Sequence, residues 1–351
     1  MIDPLERWAY GEKPDYAGLL TFSGTVYSQD PAELAGFDVA IVGAPMDDLV
    51  SDRPGTRMAP RAIRSASCPP GPHLEAKIDA FAELRVLDFG DAAVIPADPV
   101  RSHAAIEATV GQVVAAGAIP VVLGGDHSVT EPAVRAVGGA HGAVGMVHFD
   151  THTDTGADVF GVEVSHGTFI RRLVDARKID PGRYVQVGLR GYWPGESEFA
   201  WQAEHGITSL FMHEVRDLGI RAVVDRAIDA VGPGPVYLTV DVDVLDPAFI
   251  PGTGTPEPGG MAPRELLLAV RTVATALELV GADVVEVIPT GVGSADPAAL
   301  VAERIVREAL TGIALRRRGD RGQRGADGER APSTPPSRSG HPSPLPSRRS
   351  M

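Results

Sequence analysis

The chain has 351 residues, enough for one large domain or two small ones. Its formal net charge of −14 disfavours a broad electrostatic interaction with nucleic acid or an anionic membrane. The charge is uneven: residues 316–351 carry nine arginines against three acidic residues, a net of +6, which leaves −20 on residues 1–315. The sequence therefore joins an acidic body to a basic C-terminal segment.

The one cysteine, Cys68, excludes an internal disulfide and a cluster of thiolate metal ligands. We interpret it as a structural residue, because no activating base stands near it in the sequence. The N-terminal residues lack the basic and apolar regions of a signal peptide. We therefore expect a cytoplasmic protein that does not bind membranes.

Short apolar runs alternate with longer helical patterns from residue 38 onward. Predicted strands occupy residues 39–42, 85–89, 119–123, 143–149, 184–188, 207–211, 236–240 and 284–288. Predicted helices occupy residues 99–116, 215–231, 263–279 and 297–315. Continuously apolar strands that alternate with helices predict a three-layer α/β/α fold, whose mostly parallel sheet of about eight strands is buried on both faces.

This pattern predicts one central domain with two extensions. Residues 1–35 are expected to form an irregular N-terminal arm, and residues 36–315 the central domain. Residues 316–351 are rich in Arg, Pro and Ser and contain almost no large apolar side chains. Such a segment buries too little surface to offset its chain entropy, so we expect a disordered tail.

Four polar clusters follow predicted strands, where ligands collect in parallel α/β sheets. They are Gly124–Ser128, Asp150–Asp154, Asp241–Asp246 and the segment around Glu286. Taken singly, an Asp-x-Asp pair is more typical of a turn or cap, and a histidine after two glycines of an ordinary loop. The occurrence of several such clusters at strand ends favours a shared site.

The spacing within these clusters suits metal ligation. Alternate residues of an extended segment point to one side, so Asp150, His152 and Asp154 can converge, as can Asp241 and Asp243. Four carboxylates packed together need cations, and two divalent ions offset four negative charges. With His127 and His152, the aspartates supply six ligands, a suitable set for a binuclear centre. We interpret His148, on the same face as Asp150, as a supporting residue.

These motifs together resemble the ureohydrolase family, the arginase and agmatinase group. The segments that carry the resemblance are GGDHS (124–128), HFDTHTDT (148–155), SHGT (165–168), TVDVDVLDPAF (239–249), PGTGTPEPGG (251–260) and DVVEV (283–287). RPGTRMAPRAIR (53–64) resembles the corresponding segment of the agmatinase branch. The resemblance spans about residues 38 to 315.

The resemblance implies an enzyme that hydrolyses a guanidino compound to urea and an amine. It implies that His166 assists proton transfer, that Glu286 pairs with the guanidinium, and that Asp154 also orients the nucleophile. It places the metal ligands on His127, Asp150, His152, Asp154, Asp241 and Asp243. It further implies two Mn²⁺ per subunit and a trimer or hexamer, although these donors also suit Zn²⁺, Ni²⁺ or Co²⁺.

Several functions stay open at this point. The agmatinase-like segments favour agmatine, and the acidic body would attract its two cationic ends. The alternative 4-guanidinobutanoate would need a donor for its carboxylate, such as Arg57 or a backbone amide. Less favoured alternatives are a single-zinc deacetylase of the arginase-like fold and a binding protein without catalytic activity.

Overall fold

The computed structural model describes residues 17–192 and 195–328. Nine strands in these residues form one sheet, and every paired neighbour runs parallel. They are β1 (Val26–Tyr27), β2 (Val39–Gly43), β3 (Val86–Asp91), β4 (Ile119–Leu123), β5 (Val144–Phe149), β6 (Ile179–Leu189), β7 (Thr208–Phe211), β8 (Pro235–Asp241) and β9 (Glu278–Val285). Their order across the sheet is β1-β3-β2-β4-β9-β8-β5-β6-β7.

Helices cover both faces of this sheet. The α-helices are α1 (Ala59–Ala66), α2 (Ala80–Glu83), α3 (Pro99–Ala115), α4 (Thr130–His141), α5 (Phe169–Asp175), α6 (Glu196–Glu204), α7 (Met212–Leu218), α8 (Ile220–Val231), α9 (Pro263–Ala276) and α10 (Pro297–Gly328). Short 3₁₀ turns lie at Phe22–Gly24, Pro31–Leu34, Thr56–Met58, His127–Val129, Val242–Val244 and Gly293–Ala295. Among the helices of the described residues, none is both long and apolar enough to cross a membrane.

Strand β4 illustrates the layering, because successive side chains of a strand point to opposite faces. Val121 and Leu123 pack in the core cluster that contains residues of α1, α8, α9 and α10. Val122 packs in the cluster that contains residues of α3, α4 and α5. The three-layer α/β/α fold with a parallel sheet is thereby confirmed.

The last strand differs from its prediction. The sequence pattern places it at residues 284–288 after a helix that ends at 279, whereas α9 ends at Ala276 and β9 covers Glu278–Val285. Gly281 lies opposite Tyr237, and a Cβ at Gly281 would stand 2.6 Å from the Tyr237 ring. The glycine therefore belongs to the strand because the tyrosine ring fills the space of its missing side chain.

The N-terminal arm is more regular than expected. Its residues Val26 and Tyr27 extend the sheet as β1. Phe22 is fully buried, and its backbone N–H donates to Asp88 Oδ2 at 2.7 Å. Because Asp88 also pairs with the buried Arg64, the arm is attached to the core by a charged group.

The C-terminal helix extends past the predicted domain boundary at residue 315. Helix α10 continues to Gly328. Arg317 pairs with Asp38, and Arg321 pairs with Glu83 at 2.6 Å, so acidic groups of the body hold the first arginines of the basic segment. The rest of the predicted tail, residues 329–351, lies outside the described residues.

The topology brings the polar clusters to one place. Strands β4, β9, β8 and β5 are neighbours at the centre of the sheet, so their carboxyl ends share one edge. After β4 the chain passes against the backbone at Met46, where a Cβ on Gly125 would stand 1.7 Å from the Met46 carbonyl oxygen. The next backbone N–H, that of Asp126, donates to this carbonyl at 2.9 Å. A glycine is therefore required at position 125, two residues before His127.

We expect Gly125→Ala to destabilise the fold by about 1–3 kcal/mol or more, the usual cost of overpacking, because the backbone at Met46 has to move. The control is Gly139→Ala on the exposed side of α4, where an added Cβ meets no atom within 4 Å. That change should stabilise the protein by up to about 1 kcal/mol, since alanine favours helix more than glycine does. Urea unfolding of chelator-treated protein measures both, and a neutral Gly125→Ala would contradict the close approach.

Candidate metal centre

The six predicted ligands lie together at the carboxyl edge of the central strands. They are His127 after β4, Asp150, His152 and Asp154 after β5, and Asp241 and Asp243 at the end of β8. Their side chains are largely buried; the most exposed is His152 at 25%. The structure therefore brings all six together, as the spacing predicts.

The first group of donors surrounds the Nδ1 atom of His127. This nitrogen lies 3.1 Å from Asp150 Oδ2, 3.0 Å from Asp154 Oδ2 and 3.2 Å from Asp241 Oδ2. None of these three contacts has hydrogen-bond geometry, and no other described residue offers this buried nitrogen a hydrogen bond. Three oxygens and one nitrogen thus face a common point.

The second group forms around His152. Its Nδ1 lies 3.0 Å from Asp243 Oδ2 and 3.5 Å from Asp150 Oδ1. Asp150 therefore uses one oxygen in each group. Two donor sets that share a carboxylate are typical of centres that hold a pair of metal ions.

The electrostatics of the cluster favour cations. Burial raises the pKa of Asp241 well above its usual value, and the neighbouring Asp243 and Asp150 raise it further. Burial by itself would lower the pKa of His127, but Asp150, Asp154 and Asp241 raise it well above the usual value. The carboxylates thus favour the protonated, positively charged form of the His127 ring. Oxygen and imidazole donors without sulfur fit a pair of divalent ions.

His148 lies close enough to be considered a further ligand. However, its Nε2 lies 2.7 Å from Asp150 Oδ2, and its Nδ1 lies 2.7 Å from the Tyr184 hydroxyl. Both ring nitrogens are thus engaged. The contacts agree with the interpretation of His148 as a residue that supports Asp150.

The orientation of His127 depends on two residues that the sequence patterns did not single out for this role. His127 Nε2 lies 2.8 Å from Thr239 Oγ1, and the Thr239 hydroxyl is 2.6 Å from Asp283 Oδ1. When threonine donates to the carboxylate, it accepts from the imidazole, so the proton of the neutral ring sits on Nε2. This arrangement leaves Nδ1 free to bind a cation.

His166 and Glu286 lie beside the donor groups. His166 Nδ1 lies 2.9 Å from Glu286 Oε1, which also accepts the backbone N–H of His127 at 2.8 Å. On its other side, His166 Nε2 lies 2.8 Å from Ser51 Oγ. Burial opposes the charge on His166, but Glu286 outweighs it and raises the pKa of His166 to about 9. The imidazole therefore carries a proton near neutral pH.

Glu286 keeps one acceptor unused. The residue is 1% exposed, and its Oε2 has no hydrogen-bond partner within the described structure. Glu286 and the predicted ligand Asp154 both adopt a left-handed backbone, with φ of 61° and 51°. This conformation costs a residue other than glycine about 1–2 kcal/mol, so the surrounding contacts enforce both positions. A buried, unpaired carboxylate oxygen is suited to a cationic ligand.

A cavity of about 530 Å³ opens beside these residues, a size typical of small-molecule sites. Its described lining contains no lysine or arginine. Its acidic lining residues are Asp52, Asp154, Asp158, Glu198 and Asp241. Arg57 does not line it and pairs instead with Asp47 and Asp48, while Cys68 lies at another cavity. The electrostatic character of the site is therefore negative.

Sequence reasoning missed Ser51, Glu198 and the role of Asp283. Ser51 follows β2, so its position after an apolar strand could have drawn attention to it. Asp283 stands within β9, where a carboxylate in a buried strand is itself unusual. Glu198 lies on α6, and no local pattern of the sequence marks its contact with the cavity.

Known proteins resemble this chain over most of its length. A sequence model of the arginase family matches residues 37–312. A guanidinopropionase from Pseudomonas aeruginosa is 44% identical over 282 residues, which cover 79% of this chain and 86% of that protein. An agmatinase from Chromobacterium violaceum is 38% identical over 282 residues, which cover 78% of this chain and 83% of that protein. The solved structure of proclavaminate amidino hydrolase from Streptomyces clavuligerus has a TM-score of 0.80 at 36% identity, covering 87% of this chain and 100% of that one.

We expect Asp150→Asn to reduce retained Mn²⁺ from about two ions per chain to fewer than one, because Asp150 contributes to both donor groups. Asp229→Asn, on the exposed side of α8, should leave the metal content unchanged. Dialysis followed by elemental analysis measures retention. Added Mn²⁺ should also raise the Tm of the unsubstituted protein more than that of Asp150→Asn, since the ions relieve carboxylate repulsion. Full metal retention by Asp150→Asn would contradict the shared-ligand geometry.

Proposed function

The chain belongs to the arginase family, and we propose that it is the hydrolase of agmatine within that family, releasing urea and putrescine. The reaction class is the hydrolysis of a guanidino C–N bond. The observation that carries the choice of agmatine is the cavity beside the two donor groups, whose described lining is acidic and lacks lysine and arginine. Agmatine is cationic at both ends, so an acidic cavity favours it along its length.

The proposed metal ligands are His127, Asp150, His152, Asp154, Asp241 and Asp243, and Mn²⁺ is the proposed metal because all the donors are oxygen or imidazole nitrogen. Zn²⁺, Ni²⁺ and Co²⁺ are chemically compatible alternatives. A bound pair of divalent ions makes a nucleophile available from water near neutral pH.

The protein side chains position the reactants. Glu286 Oε2, buried and unpaired, accepts hydrogen bonds from the guanidinium. Asp154 accepts a hydrogen bond from the nucleophile and directs it at the guanidinium carbon. As the C–N bond breaks, His166 donates a proton to the departing amine nitrogen, a role supported by its pKa of about 9.

A guanidino acid is the second candidate substrate. The names of two relatives favour it, the guanidinopropionase and a guanidinobutyrase from the same bacterium. The carboxylate of 4-guanidinobutanoate needs a donor, but Arg57 is engaged by Asp47 and Asp48. A backbone N–H or a water molecule would therefore have to donate the hydrogen bond to the carboxylate of 4-guanidinobutanoate. The arrangement of Asp150 between two donor groups disfavours a single-zinc deacetylase.

We extend the proposal to the cellular setting. The catalytic domain is residues 36–315, and the enzyme works in the cytoplasm as a homotrimer or homohexamer. These assignments rest on the family resemblance and on the single cysteine. Its ligands are small guanidino molecules and do not include nucleic acid.

Urea release after Mn²⁺ loading tests the substrate. We expect agmatine to give the highest kcat/KM, ahead of 4-guanidinobutanoate, 3-guanidinopropanoate and arginine, because agmatine is the only one of the four that lacks a carboxylate, which the acidic cavity would repel. A preference for a guanidino acid would reject agmatine while keeping the reaction class. Absence of urea from every compound would reject the enzymatic assignment.

His166→Asn should lower kcat for agmatine by about 10²–10⁴-fold, the usual contribution of a positioned acid or base. Metal content should not change, because His166 belongs to neither donor group. The matched control is His141→Asn, at the exposed end of α4. A kcat within about twofold of the unsubstituted enzyme would show that His166 does not carry the proton.

A further inference from the structure

Glu198 is a carboxylate on the wall of the cavity beside the two donor groups. It lies on α6 and is partly buried, and no lysine, arginine or histidine of the described residues is within ion-pair distance of it. The nearby Arg171 is engaged elsewhere: its Nε donates to the Thr155 carbonyl at 3.0 Å, and its guanidinium lies over the Trp201 ring. Arg171 acts on Glu198 through space, where its charge partly offsets the rise in pKa caused by burial, but among the described residues it forms no salt bridge with Glu198, so the carboxylate remains an acidic group of the cavity wall.

The position of Glu198 is fixed by contacts between α6 and the loop that carries the metal ligands. Its Oε2 lies 3.4 Å from Thr155 Oγ1. Gln202, one turn further along α6, donates to the same hydroxyl at 2.8 Å. Because Thr155 directly follows Asp154, the carboxylate is held at a defined place relative to the reacting centre.

The other acidic residues that line the outer cavity are less suited to bind a cation strongly. Asp52 and Asp158 are exposed, and Asp158 already accepts the backbone N–H of Gly161 at 2.8 Å. Exposed charges are weakened by water and salt. Burial, by contrast, raises the pKa of Glu198. A carboxylate that has lost part of its hydration gains more from an approaching cation.

We propose that Glu198 binds the distal ammonium group of the substrate and so selects a guanidino amine over a guanidino acid. The inference rests on the proposed function and adds the residue that determines its substrate class. Glu286 Oε2, buried and unpartnered, binds the guanidinium at one end. Glu198 receives the ammonium at the other end, and it repels the carboxylate of a guanidino acid at the same place.

The test compares Glu198→Gln and Glu198→Ser with Glu196→Gln in the Mn²⁺-loaded protein. Glu196 is exposed on the same helix and does not line the cavity. Both Glu198 variants should raise KM for agmatine by about 10- to 100-fold, the usual weight of a charge-assisted hydrogen bond, while kcat stays within about threefold. KM for 4-guanidinobutanoate should not rise. Glu198→Asp should restore part of the affinity, and Glu196→Gln should behave as the unsubstituted protein.

Calorimetric titration with agmatine gives a second readout that does not need turnover. Weaker binding of agmatine to Glu198→Gln than to the unsubstituted protein supports the inference, even if neither protein releases urea. The absence of urea release would reject only the proposed function. Equal affinity for the two proteins, or a proportional loss for agmatine and 4-guanidinobutanoate, would overturn the inference. Metal content and Tm establish that the variants are folded. If Glu198→Gln is not folded, Glu198→Ser takes its place in the comparison.

Discussion

The crowding of carboxylates at a buried sheet edge is the constraint on which the rest of the structure depends. Asp150, Asp241 and Asp243 are nearly inaccessible to water, and each lies within reach of another acid. Such a cluster repels itself and loses hydration. Two divalent cations relieve both costs, so the arrangement that destabilises the bare chain gives it affinity for metal. Asp150 occupies the critical position, since its two oxygens face different donor groups.

The parallel sheet brings these carboxylates together directly, because the residues that follow its central strands all lie at the same edge. Four neighbouring strands end at one edge, and each continues directly into ligands or into Glu286. Supporting residues then fix the directions of the side chains. Asp283 holds Thr239, which orients His127, and Tyr184 and His148 support Asp150. These partners lie in the sheet itself, so the rigid core of the fold sets the geometry of the reactive groups.

The sequence alone was sufficient for the fold class, and it predicted which histidines and aspartates come together at the sheet edge, because both follow from local patterns. Apolar runs mark the strands, and ligands follow them within a few residues; the family resemblance is confirmed over residues 37–312. Features set by distant contacts were not predictable. The predicted strand began only at residue 284, because the packing of Tyr237 against Gly281 is not visible in the sequence. Likewise α10 continues past residue 315, where Arg317 pairs with Asp38. Ser51 and Glu198 belong to segments without a recognisable motif, and only the folded chain brings them next to His166 and the cavity.

The position of α6 in the topology has an evolutionary consequence. This helix lies in the crossover between β6 and β7, the two strands at one margin of the sheet, whereas the metal donors come from strands near its centre. If α6 contacts the far end of the substrate, as proposed for Glu198, these residues can change while the donor groups at the centre of the sheet keep their sequence. On that proposal, a lineage would acquire new guanidino substrates by altering one peripheral helix, and the residues that hold the metal ions would stay the same.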